Sequence, residues 1–161
     1  MNPMTISRAA CLVAAWAALL APAASAQTKT DIDLSTIKTL KCTFSVSAVG
    51  GWKNGEPEGQ IKTGGTVSVQ FVEIDTQDGS AQMAGSGAAE DIVLQASAWN
   101  MHFLEVARSG RLTMTSVFAQ ESKPGRLKAV HTRTDYLKIS MPKFESEPTA
   151  AQYYGDCEVG R

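Results

Sequence analysis

From residue 40 onward, apolar and polar residues alternate with a period of two over most of the chain. Cys42, Phe44, Val46 and Ala48 interleave with Thr43, Ser45 and Ser47, the pattern of a strand with one buried face. Val67, Val69 and Phe71 mark a second strand within 66–74, and 81–84 is a short third. Ile92, Leu94 and Ala96 share one face of a fourth. Further strands are predicted over 101–107, 112–119, 127–136 and 153–159. Gly50-Gly51, Asp78-Gly79, Ser109-Gly110 and Lys123-Pro124-Gly125 punctuate these runs as turns. Trp52 to Gly59, with Asn54-Gly55 and Pro57, is expected as a loop, as is Met141 to Ala150 with its two prolines. About eight strands at this spacing predict an all-β antiparallel meander.

The start of the chain reads differently. Arg8 precedes an uncharged apolar stretch, Ala9 to Leu20, which gives way to Pro22 and Ala24-Ser25-Ala26. A basic start, an apolar middle and small residues at a cut form the layout of a secretory signal peptide. The apolar run is about twelve residues, short of the roughly 20 a membrane span needs. Residues 1–26 are therefore expected to be a signal cleaved after Ala26, and Cys11 is discarded with it. Residues 27–36 are a polar, flexible arm with a helical turn near Asp33 to Lys38, and 37–161 form a single β domain. The destination is the periplasm or the extracellular medium.

Two cysteines remain, Cys42 and Cys157, one near each end of the domain. An even pair in an oxidising compartment predicts a disulfide. If that bond joins neighbouring first and last strands, an even-numbered meander closes into a barrel without edges. A closed, calycin-like barrel is favoured over a sandwich.

Composition narrows the partners. Fifteen Lys and Arg stand against 16 Asp and Glu. This interspersed balance shows no basic run for nucleic acid or a membrane surface. No second apolar segment is long enough to span a bilayer as a helix. No catalytic constellation or metal motif appears, and no cofactor is called for. His102 and Glu105 are three apart in a strand and point to opposite faces. His131 with Asp135 or Glu105 is the one pairing that suggests a small hydrolase or metal-dependent enzyme. Ser86, between Gly85 and Gly87, lacks the surroundings of a nucleophile elbow.

Aromatic residues near turns and the barrel mouth suit an apolar ligand: Trp52, Trp99, Phe103, Tyr153 and Tyr154 are the candidate binding residues. Gly50-Gly51-Trp52 resembles the G-x-W of lipocalins, and Thr134-Asp135-Tyr136 resembles their T-D-Y. That resemblance implies an eight-stranded barrel around an apolar ligand cavity. Here the G-x-W follows a strand, whereas in lipocalins it leads into the first one. Met101 to Glu105, Thr115 to Ala119, Lys128 to His131 and Tyr153 to Glu158 also look like segments of small exported bacterial proteins of unknown function. The expected function is a non-enzymatic exported protein binding a small apolar molecule or another envelope component. A protein-interaction module with a filled core is the alternative.

Overall fold

A computed structural model describes residues 32–84, 89–136 and 147–160. The signal expected over 1–26 and the first part of the arm lie outside the described residues. Eight antiparallel strands follow a single 3-10 turn at Leu34–Thr36: β1 Leu40–Lys53, β2 Glu56–Asp75, β3 Ser80–Ala84, β4 Glu90–Ala96, β5 Asn100–Val106, β6 Leu112–Lys123, β7 Arg126–Asp135 and β8 Thr149–Val159. They hydrogen-bond in chain order, and β8 returns to β1, from Leu40↔Val159 to Gly50↔Ala150.

Among the described residues, the ring this makes is complete at one end only. β2 and β3 pair from Gln70↔Ala84 to Asp75↔Ser80. From Glu56 to Val69, β2 pairs with β1 alone among the described residues. β4 and β5 likewise pair only from Val93↔Leu104 to Ala96↔Met101. The expectation of a fully closed, edge-free calycin-like barrel is thus corrected. A short ring opens into a sheet ordered β5-β6-β7-β8-β1-β2, with β2 at its edge. Unequal strand length is the cause, since a five-residue β3 cannot cover a twenty-residue β2.

Trp52 to Gly59 is not a loop. Asn54-Gly55 is a two-residue hairpin turn between Lys53 and Glu56, with φ positive at both residues (55° and 84°). That is the turn whose twist matches flanking strands, and Asn-Gly is its preferred dipeptide. Pro57 is tolerated because it sits at the sheet edge.

The interior is filled. Leu40, Cys42 and Phe44 of β1 meet Phe71, Met101, Phe103, Val117 and Leu127, all fully buried. Phe71 and Phe103 stack with centroids 4.0 Å apart. Leu34 and Ile37 pack into the same core next to the 3-10 turn, which Asp33 caps by accepting from the Ser35 N–H at 3.0 Å. Cys42 and Cys157 are directly opposed across β1 and β8 and form a disulfide. The hollow barrel carrying a small apolar molecule is overturned by this packing: aromatic side chains occupy the space such a ligand would take.

One local irregularity changes which residues face out. Between Phe44 and Val46 the β1 register shifts against both neighbours. Ser45 has no opposite residue on β8, while Gly64 to Thr66 stand opposite it on β2. An extra residue in a strand exchanges its two faces from that point on. Val46 and Ala48, which simple alternation puts in the core with Phe44, therefore point outward. Val46 is 37% exposed and paired with outward Tyr154.

Candidate functional site

The exchange of faces at Ser45 assembles a continuous outer surface without an Asp, Glu, Lys or Arg side chain. Across six strands, His102, Ser116, Val130, Tyr154, Val46 and Thr63 form one row. Leu104, Met114, Thr132, Gln152, Ala48 and Ile61 form the next. Val106, Leu112, Thr134, Ala150, Gly50 and Gly59 form the third. Trp52 and Pro57 extend the face beyond it. Ile61 is 78% exposed and Val106 76%. Where Ala48, Gly50, Gly59 and Ala150 adjoin, their small size leaves an open trough of about 500 Å³ flanked by Ile61, Thr132 and Gln152. Tyr154 lies in the row beside it and donates its hydroxyl to Gln152 Oε1 at 2.8 Å.

Behind this sheet, on the inner face, lies a polar cluster at the open end. Glu105 Oε2 accepts from the Thr113 hydroxyl at 2.5 Å, and Oε1 from Arg111 Nη2 at 3.0 Å. Burial alone raises the Glu105 pKa, but these hydrogen bonds and the Arg111 charge outweigh it and hold the carboxyl below its ordinary value. His131 Nδ1 lies 2.8 Å from the Thr115 hydroxyl, with Phe44 and Tyr153 rings at 5.5 and 5.7 Å. His131 is only 6% exposed, and burial is the main reason its pKa is lowered; Glu105 opposes that shift and Arg133 adds to it.

These positions give His131 and the acids paired with it in the sequence separate hydrogen-bond partners. Its hydrogen bond goes to Thr115, whereas Glu105 is committed to Thr113 and Arg111. Asp135 accepts instead from Arg133 at 2.6 Å. Among the described residues, no three His, Cys, Asp or Glu side chains gather as a metal donor set. His102, on the outer face, pairs with Ser116 at 2.8 Å.

The cluster is expected to make stability pH-dependent. A histidine whose folded pKa is depressed stays neutral while the unfolded chain takes up a proton. Its contribution is full above about pH 6.5 and is lost as pH falls below that value. Glu105 adds to the loss only lower, as pH drops through its depressed folded value. The melting temperature is expected to fall between pH 7.5 and 5.5, and His131→Gln to flatten that slope. An equal slope in the variant would remove His131 as its cause.

The five aromatic residues expected to line one ligand site do not converge. Phe103 is in the core. Tyr153 points inward against His131. Trp99 projects from the turn at the ring end, its backbone N–H donating to Ser97 Oγ at 3.1 Å. Trp52 and Tyr154 share the outer face, separated along it by six residues of β1, roughly 20 Å. The G-x-W and T-D-Y tripeptides flank β8 on opposite sides, because Gly50 and Thr134 both pair with Ala150. Comparison with protein-family models and with curated proteins finds no match. Sequence reasoning missed the outer face because its members belong to six strands. Gly64-Gly65, just before the predicted second strand, is the local sequence feature opposite the bulge.

Proposed function

We propose that this is a non-enzymatic, exported docking domain whose uncharged outer face receives another protein of the cell envelope. One observation carries it: three successive rows across six strands hold no Asp, Glu, Lys or Arg, and most of their residues stay at the surface. Removing such a surface from water costs little, since no ion must be desolvated, and large exposed apolar patches mark interaction sites. Trp52 and Tyr154 are the residue types that anchor interfaces, and the trough between small residues accepts a protruding side chain. Export rests on the sequence of residues 1–26. Among the described residues, no helix is long and apolar enough to cross a membrane.

A photo-crosslinking residue at Gln152, inside the trough, tests this in the producing cells. A discrete protein adduct is expected there, absent from a probe at exposed Lys128 and lost when Ala48→Arg is added. Ala48→Arg should weaken that binding at least about tenfold, or 1.4 kcal/mol, while changing stability by no more than about 0.5 kcal/mol. No adduct at Gln152, or the same adducts at Lys128, would end the proposal.

A further inference from the structure

We infer that two copies of this chain join through the free edge of β2, antiparallel about a two-fold axis at Gln60. The edge has natural limits. Pro57, which has no N–H to donate, bounds it on one side, and the Gly64-Gly65 irregularity bends it on the other. The straight stretch between, Pro57 to Thr63, has Gln60 at its centre. All of its residues are exposed, and among the described residues it pairs on one side only, with β1.

Charge selects the same centre independently. In an antiparallel pairing about Gln60, Glu58 stands opposite Lys62 of the second copy, and this happens twice by symmetry. Directly opposed unlike charges stabilise strand pairs and like charges oppose them. Glu58 and Lys62 lie on the inner face, since they pair with Gly51 and Ser47. The Lys53 ammonium approaches Glu58 at 3.9 Å with both groups well exposed, so the carboxylate remains available. The Gln60 amides meet at the axis, where each can donate and accept. On the outer face, Ile61 lies beside Gly59 of the second copy, where the nearest atom to an added Cβ is the Val49 carbonyl oxygen at 3.9 Å. The edge is a template for strand addition, and a second copy carries the complementary one. Pairing also joins two uncharged outer faces into one sheet. The inference stands on the edge and does not depend on the docking proposal, whose probe at Gln152 lies two strands away.

Sedimentation of the purified protein, with charge reversals, tests it. The wild-type protein is expected to dimerise reversibly. Glu58→Lys alone and Lys62→Glu alone should each be monomeric, because each sets like charges opposite one another twice. Mixing the two variants should restore a dimer, as should the double variant. The register has its own readout: Gln60→Cys should form a disulfide between copies on oxidation, whereas Ile61→Cys, opposite Gly59, should not. A wild-type monomer at about 100 µM, far above a useful interface's Kd, would overturn the inference. So would a dimer indifferent to both reversals, or equal crosslinking at Gln60→Cys and Ile61→Cys.

Discussion

The Cys42→Ala/Cys157→Ala variant is expected to unfold about 4–5 kcal/mol more easily than the parent protein. The bond spans 115 residues, nearly the whole domain, so its loss frees the unfolded chain to a degree few disulfides match. The loop-closure entropy for that length is the source of the figure. In the folded state Cys42 and Cys157 already face each other across a hydrogen-bonded pair of strands, so removing the bond leaves the β1–β8 ladder in place. Both sulfurs are fully buried in the apolar core, where alanine leaves a modest cavity that adds to the loss. Urea unfolding followed by tryptophan fluorescence measures it directly. Reduced wild-type protein should show the loop-closure loss alone and so remain somewhat more stable than the double variant, which also carries the cavity. A difference below about 1 kcal/mol from the oxidised protein would contradict the chain-entropy account.

Gly155→Ala is expected to cost at least about 3 kcal/mol, at the upper end of overpacking penalties. Gly155 sits opposite Phe44, beside the extra residue Ser45. There β8 approaches β1 so closely that an added Cβ would lie 2.7 Å from the Phe44 Cα and collide with the Thr43 carbonyl oxygen. Both obstacles are backbone, so no side chain can rotate away. The disulfide two residues further on keeps the strands from separating. Gly65→Ala is the matched control. It lies in the β2 irregularity with open space around its Cα, and should shift stability by no more than about 0.5 kcal/mol. Equal midpoints for the two variants would show that the close approach at Gly155 relaxes freely.

Both predictions concern the seam where local pattern and final structure part company. Strand identity was legible because period-two alternation and glycine turns are local signals. Ile92 and Leu94, Met101 and Phe103, and Leu127 and Ala129 are buried together as their alternation indicates. Val46 and Ala48 broke the rule for a reason that alternation cannot carry. A bulge is a mismatch between partner strands, and no single strand's sequence specifies the partner's count. Over Trp52 to Gly59, Gly50-Gly51 and Pro57 signal a loop and mask the hairpin signal of Asn54-Gly55. Sheet-edge placement then removed the usual objection to proline.

The candidate sites divide the same way. Burial of Glu105 and His131 follows from their positions in β5 and β7, but their separate hydrogen-bond partners, Thr113 with Arg111 and Thr115, come from neighbouring strands. The sequence by itself determined the number and order of the strands, most turns and the cysteine pair available for bridging. These depend on residues near one another in the chain, or on residue types with one chemistry in an oxidising compartment. Tertiary structure alone decided where the ring opens, which faces exchange at Ser45 and which residues form the uncharged outer surface. Those outcomes depend on how strands of unequal length align, and that alignment is settled only when all eight pair at once.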